Sequence, residues 1–216
     1  MPGRRETARQ AVMAEIEAEG RKQLARDGAA GLSVRAVARE LGMASSAIYR
    51  YVASRDELLT LLIVGGYHRL ADALEAVGRT GGARERWTAR CLALRTWAQA
   101  HPHEYALLYG SPVPGYAAPE ATVDPATRVY AALGEPLPEG GGWPAVHGPV
   151  AEDGARITEG LGLAAPAEAG VAVLRAWAAL FGLVTLELFG HTQGAVADHD
   201  AFFAHHVERL ADDLGL

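Results

Sequence analysis

One short stretch of the chain combines small and hydroxyl-bearing side chains with arginine, which suits it to hydrogen bonding with a polar, anionic surface. It runs from Ser45 to Tyr51 (SSAIYRY), and its two serines are also candidate N-caps. Helical spacing places Ala44, Ile48 and Val52 on one apolar face and the remaining side chains on the other. Small residues let a helix approach a DNA duplex closely, tyrosine hydroxyls can donate to phosphates, and serine or alanine can contact base edges. The pattern therefore predicts a helix that enters the DNA major groove.

The neighbouring residues predict the elements that would hold this helix in place. Ser33 is a suitable N-cap, and Arg35 would lie on the wet face of the helix that follows. Gly42 can adopt the left-handed conformation that ends a helix and turns the chain. Ser54 and Glu57 form a capping box that starts the next helix. The apolar stripe between cap and glycine consists of Val34, Val37, Ala38 and Leu41.

A first helix is predicted from about Thr7 to Arg26, where it would complete a small three-helix core. Residues 1–8 are predicted to form a flexible arm. Arg4 and Arg5 in this arm would reach the minor groove or the phosphates, or else form a solvated tail. The alternative for the whole region is an ordinary helical hairpin within an all-α core.

At these residues the chain resembles the TetR/AcrR family of one-component transcriptional repressors. The resemblance covers about residues 9–63 and rests on the pattern L-S-V-R-x-V-A-x-x-L-G-M-x-x-x-x-I-Y-R-Y-V-x-S-R-D-E-L-L. Many relatives carry Lys or Thr where this chain has Ser46 and Ala47, which leaves the base preference open. By the family's motif, the positions that face DNA are Arg35, Ser45, Ser46, Ala47, Tyr49, Tyr51 and Arg55.

The charge distribution favours binding to one short DNA segment over coating of nucleic acid. The chain has a net charge of −6, yet residues 1–60 contain ten Lys and Arg against eight Asp and Glu. A single cysteine, Cys91, excludes an intrachain disulfide framework and is expected to be a small core residue. The first ten residues lack the apolar segment of a signal peptide, and the run from Leu58 to Gly66 is shorter than the ~20 residues of a membrane span. We expect a cytoplasmic protein that does not bind a membrane.

The remaining sequence predicts an all-α protein. We expect an N-terminal three-helix helix-turn-helix DNA-binding domain over residues 1–53 and a helical ligand-binding and dimerisation domain over residues 54–216. A bend is expected at Gly65-Gly66, and the loop 134–149 is rich in Gly and Pro. The predicted helices of the second domain span 54–79, 83–100, 103–110, 124–133, 150–160, 166–189 and 198–214.

The family resemblance implies a homodimer formed by the last two helices. The segment around Trp177 is also similar to a C-terminal subtype named for a Trp-His-Gly signature, with Phe181 where the histidine would be. Ligand cavities between helices are mostly apolar and aromatic, so five aromatic residues are candidates to line a pocket for a small effector. Each of them could equally be an ordinary core residue. The candidates are Trp97, Tyr105, Tyr109, Trp177 and Phe181.

No enzymatic or cofactor motif stands out. His101, His103 and Glu104 lack the i, i+4 spacing of paired metal ligands, and the group His199, Asp200, His205 and His206 is interpreted as a wet helical face. We expect neither a cofactor nor a bound metal. The predicted function is a ligand-responsive repressor that binds a pseudo-palindromic operator as a dimer. The alternatives are an activator of the same fold, or a helical ligand-binding or catalytic domain with a vestigial helix-turn-helix.

Overall fold

The computed structural model describes residues 3–138 and 141–216, with the side chain of Arg4 outside that description. The described residues form ten α-helices and no β-strand, which confirms the predicted all-α class. The helices are α1 (Arg4–Asp27), α2 (Val34–Glu40), α3 (Ser45–Ile48), α4 (Arg55–Glu75), α5 (Ala83–Ala100), α6 (Pro102–Tyr109), α7 (Val123–Gly134), α8 (Pro149–Gly160), α9 (Ala167–Leu188) and α10 (His199–Asp213).

The chain divides into two compact units. The first consists of Met1–Tyr67 and His101–Val123, and the second of His68–Ala100 and Asp124–Leu216. Helix α4 therefore begins in the first unit and ends in the second. The boundary predicted after residue 53 concerns functional domains, and it stays a prediction.

The first unit has a core made by the apolar sides of α1, α2, α3 and α4. Ile16 and Ile48 are fully buried there, and Leu24 and Val37 are almost so. Helix α6 also packs against α1 in this unit, where Arg21 and the buried Glu104 form an ion pair of 3.5 Å. The three-helix core expected from the sequence is thus present, with α4 and α6 added to it.

The start of α1 corrects the predicted arm. The helix begins at Arg4 with Gly3 as its N-cap, so Arg5 and the backbone of Arg4 lie in a helical turn, not in an extended tail. No Gly or Pro interrupts residues 4–8, and Glu6 in the first turn interacts favourably with the helix dipole. Residues 1–2 lie outside the described residues.

The predicted bend at Gly65-Gly66 does not interrupt α4, which is helical from Arg55 to Glu75. Gly66 is buried because the side chain of Leu108 lies where a Cβ would make van der Waals contact. The helix ends at Glu75, four residues before the predicted end, and Gly78 follows with a positive φ of 75°.

The second unit is built around α9, which packs against α5, α8 and α10. Trp87 on α5 is fully buried, and its indole N–H donates to the carbonyl of Val207 on α10 over 3.1 Å. Cys91 is also fully buried, and burial raises the pKa of its thiol well above the usual value, as expected for a core residue. Helix α9 is long and apolar enough to cross a membrane by length and composition, a test that core helices also pass.

Helices α8 and α9 approach each other closely at two glycines. A Cβ added at Gly154 would overlap the carbonyl oxygen of Ala167, and one added at Gly170 would overlap the carbonyl oxygen of Gly154. Both glycines are buried. The contact therefore requires that neither position carries a side chain.

We expect the Gly154→Ala variant to lower the free energy of unfolding by about 2 kcal/mol or more, because the added methyl group forces two backbones apart. The control is Gly160→Ala on the same helix, where no atom lies within 4 Å of the added Cβ. Alanine is favoured over glycine in a helix, so the control should be neutral or slightly stabilised. Urea denaturation measures both, and equal unfolding free energies would show that the close approach does not matter.

Candidate nucleic-acid interface

A tight turn sets the direction of α3 relative to α2. Ser33 caps α2, since its hydroxyl accepts a hydrogen bond from the Ala36 N–H over 3.4 Å. At the other end Gly42 has φ of +65°, and the Met43 N–H donates to the carbonyl of Ala38 over 2.8 Å. This bond, five residues back along the chain, is the signature of a glycine-terminated helix. The predicted cap and turn are both confirmed.

The helix that follows is shorter than the sequence suggested. Helix α3 covers Ser45–Ile48 and continues as hydrogen-bonded turns through Tyr51. Its N-cap is Ala44, which makes no side-chain cap bond, so the prediction that Ser45 or Ser46 caps the helix is wrong. The two serines instead occupy the first turn, and both are exposed.

One side of this element is exposed and the other is buried. Ile48 is fully buried and Val52 is 2% exposed, as their spacing predicted, but Ala44, predicted on the same apolar face, is exposed because it precedes the helix as its N-cap. Ala47 is half-buried and the ring of Tyr49 is 39% exposed. Arg35 on α2 is exposed as well. Serine hydroxyls, a tyrosine and an arginine are therefore available on the surface of the first unit.

Tyr51 differs from Tyr49 in its surroundings. It is half-buried and packs against the core of the first unit, and the guanidinium of Arg9 lies 5.5 Å from the centre of its ring. Arg9 also donates to the carbonyl of Arg50 over 3.4 Å. Tyr51 thus helps to fix the end of the segment 45–51, which consists of α3 and the turns that follow it. Any contact that Tyr51 makes with DNA stays a prediction.

Arg9 and Arg50 add positive charge next to the residues that the sequence analysis selected as facing DNA. Both are exposed, and so is Arg5, four residues before Arg9 on α1. The i, i+4 spacing of Arg5 and Arg9 could have indicated a shared helical face. It could not have indicated that this face meets the end of α3.

Arg55 is held by the protein itself. Its Nη2 donates to the carbonyl of Ala29 over 2.8 Å, and its side chain is half-buried. The capping box before it forms as predicted at Ser54, whose hydroxyl accepts from the Glu57 N–H over 3.1 Å. The Glu57 carboxylate accepts from the N–H of Ala53, one residue before the cap. A DNA contact by Arg55 stays a prediction.

The aromatic residues predicted to line an effector pocket fall in both units. In the first, the rings of Tyr105 and Tyr109 lie 5.2 Å apart on α6. In the second, Trp177 and Phe181 both neighbour Tyr130, at 4.8 and 5.8 Å. Trp97 on α5 is buried. Sequence analysis missed Tyr130, whose burial raises the pKa of its hydroxyl. A common cavity for these residues stays a prediction.

Several histidines were considered as metal ligands. Among the described residues, no group of three or more His, Cys, Asp and Glu side chains is placed to hold a metal ion. His199 shares a hydrogen bond of 2.9 Å with the hydroxyl of Thr192. The ring of His206 contacts that of Phe202 at a 60° tilt, with ring centroids 4.3 Å apart, and the ring of His205 lies 5.5 Å from that of His206.

Two family models match the chain. Residues 16–62 match the model described as "Bacterial regulatory proteins, tetR family", and residues 87–210 match a "Tetracyclin repressor-like, C-terminal domain". The first match spans the capped turn and α3, and the second covers more than half of the chain. The narrower Trp-His-Gly subtype stays a prediction.

Proteins of known sequence and structure agree with these matches. The chain is 42% identical over 200 residues to the HTH-type transcriptional regulator Rv1816 of Mycobacterium tuberculosis, covering 87% of this chain and 85% of the relative. Among solved structures, regulatory protein SCO4313 is 32% identical, with a TM-score of 0.80 over 98% of this chain and 100% of that one. A Rhodococcus protein of unknown function is 26% identical, with a TM-score of 0.68 over 94% and 95%. The chain belongs to the TetR family of helix-turn-helix, DNA-binding transcriptional regulators.

Proposed function

We propose that the protein is a cytoplasmic, non-enzymatic repressor that binds a pseudo-palindromic operator as a homodimer and leaves it when a small apolar effector binds. The observation that carries the proposal is the exposed face of α3, a helix that is anchored on its other side by the fully buried Ile48. Small side chains at Ser45, Ser46 and Ala47 allow close approach to base edges, and Tyr49 and Arg35 can reach phosphates.

A dimer is needed because one helix-turn-helix domain of this size contacts only a few base pairs. Two copies related by two-fold symmetry would read half-sites about one helical turn, ~34 Å, apart. The last two helices carry a suitable apolar surface. Leu174 and Leu186 on α9 are 51% and 46% exposed, and Phe202 on α10 is 40% exposed.

The same surface contains an apolar groove of about 420 Å³ between α9 and α10. Small residues along α9 would let a second helix approach closely, and the isologous contact would cover the groove in both copies. The residues that line it are Ala178, Ala179, Gly182, Leu183, Leu186, His206, Arg209 and Leu210.

The effector would control DNA binding if it favours a spacing of the two DNA-binding domains that does not fit the operator. The aromatic candidates Trp97, Tyr105, Tyr109, Trp177 and Phe181 favour an apolar compound of drug size or smaller. The repressor assignment follows the family resemblance, and an activator of the same fold would differ in promoter geometry.

We expect Tyr49→Ala to abolish sequence-selective binding to DNA upstream of the protein's own gene, while the oligomeric state is unchanged. Arg35→Ala should weaken binding, and it should reduce the slope of log K against log salt by about one for each phosphate that is no longer neutralised. Gel shifts at several salt concentrations measure both effects.

The control for these DNA measurements is Arg26→Ala, because Arg26 is exposed at the far end of α1 and is paired with Asp27 over 3.0 Å. Its operator affinity and salt slope should match those of the unmodified protein. Unchanged selective binding by Tyr49→Ala would rule out the proposed reading surface.

We expect Leu186→Glu to weaken dimerisation by at least about a hundredfold, because the symmetric contact would bury a carboxylate from each copy in a mainly apolar groove. Leu92→Glu on α5 is the matched control, since Leu92 is a similarly exposed leucine, at 43%, in the same unit. Sedimentation over a concentration series distinguishes the two. If Leu186→Glu stays dimeric, the dimer does not use this groove.

Effector release is tested by titrating a panel of lipophilic compounds into the operator complex. At least one compound should lower operator affinity by about 5- to 150-fold, the usual range of allosteric coupling. Fluorescence anisotropy of labelled operator DNA gives the affinity at each concentration. A panel with no active member would remove the effector from the proposal and leave DNA binding intact.

A further inference from the structure

A second site is suggested by an unusual group of arginines in the second unit. Arg79, Arg86 and Arg90 all surround the single carboxylate of Glu135. The distances from the Nε atoms of Arg79 and Arg86 to Glu135 are 3.6 and 3.3 Å, and Arg90 bonds to the same carboxylate through Nη1. Three guanidinium groups therefore share one counter-ion.

Arg90 is the most deeply placed of the three. It is 3% exposed, and its Nη2 donates to the carbonyl of Gly78 over 3.1 Å. Its Nε has no hydrogen-bond partner among the described residues, although it is buried. A buried guanidinium with an unused donor costs free energy unless another acceptor is supplied.

The Glu135 carboxylate does not neutralise this group. Its burial would raise its pKa, but the hydrogen bond from Arg90 and the charges of Arg90, Arg86 and Arg79 outweigh that effect and lower the pKa below the ordinary value. Glu135 is therefore ionised at neutral pH, and the three arginines with Glu135 retain two positive charges.

The nearby Arg128 and its two acidic partners reduce this surplus by one charge. Arg128 is bound by Asp72 over 2.7 Å and by Glu75 over 2.8 Å, so its charge is more than balanced. Counting Arg128 and both of these acids, the region carries four positive and three negative charges. A surplus of one positive charge suits a monoanion better than a dianion.

Two adjoining clefts lie beside this group. One, of about 400 Å³, is lined by Glu75, Arg79, Arg90, Arg128, Ala131, Ala132 and Glu135. The other, of about 470 Å³, shares Arg79, Ala131 and Glu135 with the first. Both volumes fall in the range of small-molecule sites. The other residues that line the second cleft have apolar side chains or none: Leu137, Pro138, Leu161, Gly162, Leu163, Ala164 and Ala165.

We infer that these clefts form a binding site for an amphipathic carboxylate, with its anionic head at Arg79 and Arg90 and its apolar chain along Leu137, Leu161 and Leu163. The positive surplus recognises the head through charge-assisted hydrogen bonds, and the leucines remove the chain from water. The inference does not require the proposed operator or effector, because binding is measured on the protein alone.

The test uses sodium octanoate as the probe and the full chain without DNA. Saturation-transfer NMR titrations should give a Kd in the millimolar range or tighter, with binding at least about tenfold weaker for octan-1-ol, which lacks the charge, and for acetate, which lacks the chain. Inorganic phosphate should bind no better than acetate, because it has no apolar part.

Two variants locate the site. Arg79→Gln should weaken octanoate binding about fivefold, and it should fold normally because the Arg79 side chain is 82% exposed. Ala131→Trp should abolish binding, since Ala131 lines both clefts and is half-buried on α7. Circular dichroism confirms that each variant is folded.

Arg156→Gln is the matched control, because Arg156 is an exposed, ion-paired arginine on α8 in the same unit. Its octanoate affinity should be unchanged. Equal affinity in all three variants would overturn the site. Reduced affinity in Ala131→Trp alone, with Arg79→Gln unaffected, would overturn the recognition of the carboxylate and leave an apolar cleft.

Discussion

The exposed face of α3, which is the proposed DNA-reading surface, depends on the burial of Ile48. Helix α3 has only four residues, and helices this short do not persist in water without support. Ordering four residues costs roughly 4–8 kcal/mol, whereas burying one isoleucine side chain contributes about 1.5–3 kcal/mol. Ile48 alone is therefore insufficient. The helix must form together with α1, α2 and α4, whose buried side chains surround Ile48, and with the glycine turn that fixes its direction.

The same dependence explains why neighbouring tyrosines have different surroundings. Tyr49 points to the exposed side of the segment 45–51, whereas Tyr51, two residues later, packs against the core and lies beneath Arg9. Arg55 is likewise bound to a backbone carbonyl, that of Ala29, in the turn that follows α1. A family motif marks all three positions alike, but the structure separates a side chain that is available to a partner from two that also stabilise the unit.

The second unit combines a close-packed side with an uncovered one. Glycines bring the α8 and α9 backbones together, while the exposed leucines of α9 and Phe202 of α10 form an apolar surface. Elsewhere in the same unit, charge is concentrated: three arginines share Glu135 in a protein whose net charge is −6. These are different physical features, since one surface is apolar and the other carries a surplus of positive charge.

Features that depend on neighbouring residues along the chain could be predicted from local patterns. The Ser33 and Ser54 caps, the Gly42 turn and the span of α5 follow from local hydrogen bonding and helical periodicity, and so does the buried position of Ile48. Which distant groups come into contact is set by the packing of the helices. Arg9 with Tyr51, Gly154 with Ala167, and Arg90 with Glu135 are contacts between separate elements, and their geometry depends on packing that no local pattern records.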